Sequence, residues 1–200
     1  KNFEKAICED VANRAKDVKD DIEKYKSRKK YANRVVDLLE SGKIPTRVTH
    51  NDTKLNNVLI NLETLDPIAV IDLDTVMPGS LLYDFGDSIR SGATTGAEDE
   101  KDLSKVNFSI ELFEAYDDGF MSQLANRLTD KEIELLAFSA ILMTYECGLR
   151  FLTDHLQNDI YFRVHRENHN IDRARTQMKL VEDMEKVLPT MNEIVYKYKK

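Results

Sequence analysis

Between Thr129 and Thr153 the chain runs through Leu135-Leu136-Ala137-Phe138 and Ala140-Ile141-Leu142-Met143, apolar in blocks rather than in a stripe. A helix of that composition has almost no polar face to give to water, so the rest of the chain has to be wrapped around it. Thr129-Asp130-Lys131-Glu132 marks its start with the spacing of a capping box, Thr129 covering the first turn and Glu132 reaching back. The first expectation is therefore a buried central helix over about 130–153. Ahead of it, Ile7, Val11, Ala15, Val18, Ile22 and Tyr25 recur at steps of three and four, and Val35, Val36, Leu38 and Leu39 resume the stripe until Ser41-Gly42 and Pro45 stop it. That pattern predicts one long helical stretch packed on its own domain. Ser91-Gly92-Ala93-Thr94-Thr95-Gly96 reads as a loop and 103–126 as a helix with Ile110, Phe113 and Phe120 on its apolar side. A further helix over 170–187 is expected to end before Pro189, with a last one starting at Thr190, which has capping-box spacing to Glu193.

Only one segment has strand character. Asn57-Val58-Leu59-Ile60-Asn61-Leu62 and Ile68-Ala69-Val70-Ile71 flank a turn containing Asp66-Pro67 and predict a hairpin. Antiparallel pairing would bring Asn57, at the start of one strand, to the same end as Asp72, just past its partner, within reach of one ion. The expected fold class is thus mainly α (α+β), helical with a small β-hairpin.

The residues around that hairpin carry chemistry. His50-Asn51-Asp52-Thr53-Lys54-Leu55-Asn56-Asn57 is followed by Ile71-Asp72-Leu73-Asp74. A carboxylate, an amide five positions on and a second carboxylate beyond a strand pair are what phosphoryl transfer from a nucleotide requires. One carboxylate orients and deprotonates the acceptor hydroxyl, while the amide and the second carboxylate hold magnesium against the phosphates. Hard oxygen donors suit Mg²⁺, which keeps waters and borrows phosphate ligands. The bland alternative for Asp52 is a capping or turn aspartate.

Composition narrows the remaining classes. With 29 basic against 36 acidic residues and a net charge of -7, the chain lacks the basic surplus of a nucleic-acid binder. No apolar run in the sequence approaches a bilayer span and Lys1-Asn2-Phe3-Glu4 is not a signal peptide, so a soluble, cytoplasmic protein without a membrane partner is expected. Cys8 and Cys147 are too far apart in sequence to suggest a metal site or a disulfide framework. His165 and His169, with Glu167 between them, lack the order of a zinc-binding helix and read as a solvated helix face.

The block from His50 to Asp74 resembles the catalytic segment of the aminoglycoside phosphotransferase and choline kinase superfamily, whose motif is H-x-D-x-x-x-x-N followed by a strand ending in I-D. That block, with Val70 to Gly79, Leu82-Tyr83-Asp84-Phe85-Gly86-Asp87-Ser88-Ile89-Arg90, Arg150 to Leu156 and Asp159-Ile160-Tyr161-Phe162, more closely resembles the bacterial N-acetylhexosamine 1-kinases. The resemblance implies a protein-kinase-like C-terminal lobe that, with ATP and Mg²⁺, phosphorylates the anomeric hydroxyl of N-acetylglucosamine or N-acetylgalactosamine. It makes Asp52 the catalytic base, Asn57 and Asp72 the metal ligands, and His50 and Asp84 supports of the catalytic loop, Asp84 through backbone N–H groups. Arg150 and Tyr161 become sugar contacts, although Glu146, four residues before Arg150, also allows a plain ion pair. Asp74 is left between a metal contact, a residue behind the metal ligands and a solvated turn position. The alternatives are a phosphotransferase for another small alcohol, such as an aminoglycoside, choline or another sugar, and a non-catalytic binding module that keeps the fold.

No glycine-rich phosphate loop occurs, and no strand lysine with a helix glutamate precedes Asp52. Residues 1–200 are therefore expected to form a single domain, the substrate-binding lobe, without the N-terminal lobe that covers the nucleotide. The absence of an initiator Met points the same way, to a fragment or processed product of little or no activity. The open face would take that lobe or a second copy of the chain.

Overall fold

The computed structural model describes residues 2–198. In chain order the elements are α1 (Asn2–Glu9), α2 (Lys19–Lys26), α3 (Val36–Glu40), β1 (Arg47–Thr49), β2 (Val58–Ile60), β3 (Pro67–Val70), β4 (Met77–Gly79), α4 (Leu81–Gly92), α5 (Ile110–Leu124), α6 (Asp130–Leu156) and α7 (His169–Tyr196), with short 3-10 turns between several of them. The protein is mainly α, with two small antiparallel sheets, β1–β4 and β2–β3.

Helix α6 is the axis: eighteen of its 27 residues are buried, and α4, α7 and α1 all pack on it. It is also long and apolar enough to cross a membrane, contrary to the reading of the sequence alone, but 72% of its most apolar stretch is buried inside the protein. The predicted capping box forms in full. Thr129 Oγ1 accepts the N–H of Glu132 at 3.2 Å and the N–H of Thr129 donates to Glu132 Oε2 at 2.8 Å. Glu132 is buried completely because it also receives Arg47 of β1 through Nε and Nη2, both at 2.8 Å. The start of the central helix is thereby tied to the first strand. Thr129→Ala should lower stability by about 1 kcal/mol, read as a shift in the urea midpoint at unchanged slope.

Helices α4 and α6 cross at backbone contact. A Cβ on Gly86 would lie 2.3 Å from the carbonyl oxygen of Ser139, so no larger residue fits there without parting the helices. On the other side, Tyr25 of α2 donates its hydroxyl to the Ala174 carbonyl of α7 at 2.7 Å and accepts at its own carbonyl from Tyr145 of α6 at 3.1 Å.

The structure departs from the sequence expectations in four helical places. The N-terminal stretch is broken into α1, α2, α3 and 3-10 turns, because Asp10 and Asn13 adopt positive φ of 36° and 52° and Asp10 Oδ1 accepts the N–H groups of Arg14 and Ala15. Lys1, expected inside a helix, lies outside the described residues. Helix α4 runs on through Ser91 and Gly92, and a side chain at Gly92 would strike Tyr116. Helix α5 starts only at Ile110, capped by Ser109, since 103–105 form a 3-10 turn capped by Asp102. The two helices expected on either side of Pro189 are one, α7, and no capping box opens at Thr190. Proline there removes one bond to the Glu185 carbonyl, a loss that burial of Met191, Ile194 and Val195 just beyond it offsets.

The hairpin pairs Val58 with Val70, Leu59 with Ala69 and Ile60 with Pro67. The second sheet, Arg47 with Gly79, Val48 with Pro78 and Thr49 with Met77, was not expected from the sequence. The hairpin gives its side chains to solvent: Leu59, Ile60, Ile68, Val70 and Ile71 are exposed, and Leu62 is 90% so.

Candidate active site

The β1–β4 sheet frames the loop from His50 to Asn57. Asn51 sits in the left-handed region at φ 64°, a conformation asparagine tolerates, and its side chain ties both strands. Its amide donates to the carbonyls of Thr49 at 3.3 Å and Thr75 at 3.1 Å, and its oxygen accepts from Thr49 Oγ1 at 3.0 Å. Gly79 is required beside it, because a Cβ would come within 2.4 Å of Thr49 Oγ1. From α4, Asp84 accepts the N–H of His50 at 2.9 Å and of Asn51 at 2.7 Å, one on each carboxylate oxygen. A carboxylate holding two successive backbone N–H groups fixes the direction in which the next side chain leaves.

That side chain is Asp52. Lys54 Nζ reaches its Oδ2 at 2.6 Å and Asn57 Nδ2 reaches the same oxygen at 2.9 Å. With both donors on Oδ2, Oδ1 is left to accept from an incoming hydroxyl. Burial pushes the Asp52 carboxyl up, but the bonds from Lys54 and Asn57 and the nearby charge of Lys54 outweigh it and hold it below the ordinary carboxylate value. Asn57 is buried; its amide nitrogen also donates to the Asp52 carbonyl at 2.8 Å, which leaves its side-chain oxygen for a cation. His50 accepts the N–H of Asp52 on Nδ1 at 3.3 Å, so Nε2 carries the proton it shares with the Ile71 carbonyl at 3.0 Å. The histidine thus braces loop against hairpin and has no nitrogen left for chemistry.

Ile71 N–H donates to the Asn57 carbonyl at 2.9 Å, closing the end of the hairpin, and Asp72 follows at φ 62°. Its carboxyl is hydrogen-bonded to Asp74, which raises its pKa. Two acidic oxygens held together in this way, at the same end of the hairpin as Asn57, are hard donors of the kind Mg²⁺ takes. Among the described residues no three His, Cys, Asp or Glu side chains converge as a metal site. Lys54 lies 4.0 Å from Asp72 Oδ2, so its ammonium bridges the two carboxylates. Lys54 was assigned no role in the sequence reading; its position two residues after Asp52 was the available signal.

Arg150 and Tyr161 lie apart from this cluster, at a place where two grooves meet. One, of about 380 Å³, runs from Asn51 and Tyr83 to Glu146 and Arg150; the other, of about 730 Å³, continues past Arg150 to Tyr161, Phe162 and Phe3. Arg150 Nη2 donates to the Tyr161 hydroxyl at 3.3 Å, and its guanidinium stands over the rings of Tyr161 and Phe162. Its contact with Glu146 is 3.8 Å between half-exposed side chains, too loose to be what holds it. The Tyr161 segment is held by Asp154, a buried residue missed in the sequence, which accepts the N–H groups of Tyr161 at 2.8 Å and Phe162 at 3.0 Å and the amide of Asn170 at 2.8 Å.

Other candidate groups have structural partners. His169 is not on a solvated face: it is buried at the start of α7, accepts the N–H of His165 at 3.1 Å and bonds Asp99 at 2.9 Å. Cys8 and Cys147 are free thiols, and burial pushes Cys147 up to about 12.

Residues 8–118 match the model of a family described as the phosphotransferase enzyme family, a span running from α1 through the His50–Asn57 loop, the hairpin and α4 into α5. It includes Asp52, Asn57, Asp72 and Asp84 and ends before α6, so Arg150 and Tyr161 lie outside it. With more than half of the chain covered, and the loop, hairpin and anchoring helix all inside the matched span, the protein belongs to the phosphotransferase enzyme family, within the aminoglycoside phosphotransferase and choline kinase superfamily.

Proposed function

We propose that this phosphotransferase lobe serves the transfer of the γ-phosphoryl group of ATP to the anomeric hydroxyl of an N-acetylhexosamine. The observation that carries the reading is that Lys54 reaches both Asp52 and Asp72 while Asn57 bonds Asp52, with both donors on Oδ2 so that Oδ1 is free for a hydroxyl. Asp52 takes the proton of the anomeric O–H as that oxygen bonds to the γ-phosphorus, and the bond from phosphorus to the β–γ bridging oxygen breaks to release ADP. Asn57 and Asp72 would hold magnesium, which, when bound, neutralises charge on the transferring phosphates. Lys54 keeps Asp52 ionised and adds a positive charge beside the transfer path.

The acceptor side of the reading rests on Arg150 and Tyr161. A guanidinium and a phenol that meet over a groove suit the hydroxyls of a neutral sugar, and Arg150 disfavours a cationic acceptor such as choline or an aminoglycoside. The exposed apolar side chains of the hairpin support a further part of the reading, in which a strand-rich lobe covers the nucleotide against them.

Phosphorylation of N-acetylglucosamine, N-acetylgalactosamine, glucose, choline and an aminoglycoside by the protein joined to its upstream coding sequence is the test. An N-acetylhexosamine should give the highest kcat/KM. Arg150→Ala should raise its KM about tenfold, a size in keeping with the loss of charge-assisted hydrogen bonds. Preference for choline or the aminoglycoside would sink the acceptor reading, and full activity of residues 1–200 alone would sink the covering lobe.

A further inference from the structure

A polar cavity lies beside Lys54, separate from the grooves that meet at Arg150. It measures about 310 Å³ and is formed by Lys54 and Asn56 of the catalytic loop, Arg90 and Ser91 at the end of α4, the segment Thr94 to Glu98, Val106, and Thr176, Gln177 and Leu180 of α7. Gln177 is 2% exposed, and its Oε1 has no hydrogen-bond partner among the described residues. Turning the amide over would only exchange an unpaired acceptor for an unpaired donor. Two further unpaired buried atoms lie behind the wall: Asp87, whose Oδ1 accepts from Arg90, leaves Oδ2 unpaired, and Arg173 Nε lies 3.9 Å from Glu98 Oε2. Buried polar atoms are nearly always paired, so an unpaired carboxamide oxygen on the wall of a polar cavity marks it as suited to a polar guest.

The charges restrict what that guest is. Arg90 gives Nε to Asp87 at 2.8 Å and Nη1 to Glu98 at 2.9 Å, and Lys54 is matched by Asp52. Neither cation is left unpaired, so neither a phosphate nor a second cation is called for. Gln177 offers a carboxamide, with one donor edge and one acceptor, while Val106, Leu180 and Ala97 supply apolar wall. A small secondary amide bearing a methyl group fits both: its N–H donates to the unpaired Gln177 Oε1 and its methyl meets the valine and leucine.

We infer that this cavity holds the acetamido group of the acceptor, with Gln177 as the residue that distinguishes an N-acetylhexosamine from a plain hexose. The inference rests on the acceptor reading above. In such a sugar the acetamido group is carried on the carbon next to the anomeric one, so the two must bind side by side. Lys54 bonds Asp52 and also lines the cavity, so one side chain joins the cavity wall to the base.

The test compares N-acetylglucosamine with glucose, by NMR titration of residues 1–200, in the wild type and in Gln177→Leu and Ala97→Trp. Leucine removes an unpaired polar group at similar volume, and Ala97 is an exposed rim position, so both variants are expected to fold. The wild type should bind N-acetylglucosamine more tightly than glucose. Each variant should cut that ratio about tenfold, through weaker binding of the acetylated sugar with glucose binding unchanged. If the wild type prefers the acetylated sugar and both variants keep the preference, the cavity assignment is overturned and the acceptor reading stands. If the wild type binds neither sugar, or binds both equally, both fail.

Discussion

Asp52→Asn is expected to lower turnover about a thousandfold while leaving the fold in place, the size general-base removal has in other enzymes. The isostere keeps the shape of the loop, because Asp84 and not Asp52 holds the backbone there. What changes is the set of donors and acceptors. Lys54 and Asn57 both donate to Oδ2, so an asparagine must turn its carbonyl oxygen toward them and its NH2 toward the incoming hydroxyl. Donor then faces donor, and the proton of the acceptor has no base to receive it. Stability should change little, since the Asp52–Lys54 pair is partly exposed and such pairs contribute about 1 kcal/mol or less. Initial rates of ADP release, with a thermal melt of the same preparation, separate the two effects. Activity within tenfold of wild type would remove Asp52 from the chemistry.

The elements legible in the sequence are those whose cause is local. The capping box at Thr129 and Glu132 depends on four consecutive residues, and the hairpin on two β-prone runs around one turn, so each could be read in place. Helix α6 was legible because its composition leaves burial as the only outcome. Elements decided by distant partners were not. The β1–β4 ladder is three residues on each strand and includes Pro78 and Gly79, which carry no strand signal of their own. Pro189 reads as a break, yet packing on both sides of it carries α7 through. The stripe from Ile7 to Tyr25 has helical spacing, but Asp10 and Asn13 turn the chain inside it, so Val11, placed on the apolar face by periodicity, is exposed.

The site divides along the same line. Asp52, Asn57 and Asp72 could be placed together because they flank one hairpin, whereas the anchoring by Asp84 takes a helix that returns to the loop. The part Asp154 plays depends on a bend after α6 that brings Tyr161 back over the helix. Gln177 lies on the last helix and shares a cavity wall with Lys54 only in three dimensions, and no spacing rule connects the two.

Asp117→Asn should make the protein more stable at pH 8, by about 2 kcal/mol, with little change at pH 4. Asp117 lies on α5, is buried completely, and neither carboxylate oxygen has a hydrogen-bond partner among the described residues. Burial, with Asp118 and Glu114 adding to it and Lys197 opposing, pushes its carboxyl up to about 7. An acid whose pKa is higher folded than unfolded binds more protons in the native state. Stability is then greatest below the unfolded value near 4 and is lost as pH rises toward the folded value, the reverse of a salt-bridged aspartate. A shift of about three units corresponds to roughly 4 kcal/mol at most, and partial relaxation of the site around the charge reduces that to about half. The amide cannot ionise, so the variant escapes the loss; its own unpaired NH2 keeps it close to wild type at acid pH, where Asp117 is neutral. For a domain of this size 2 kcal/mol is about 4–8 °C in Tm. Melts of the two proteins between pH 4 and pH 8 should therefore diverge steadily, the wild type falling below the variant as Asp117 ionises. Parallel curves across that range would show that the charge finds a partner or water in solution.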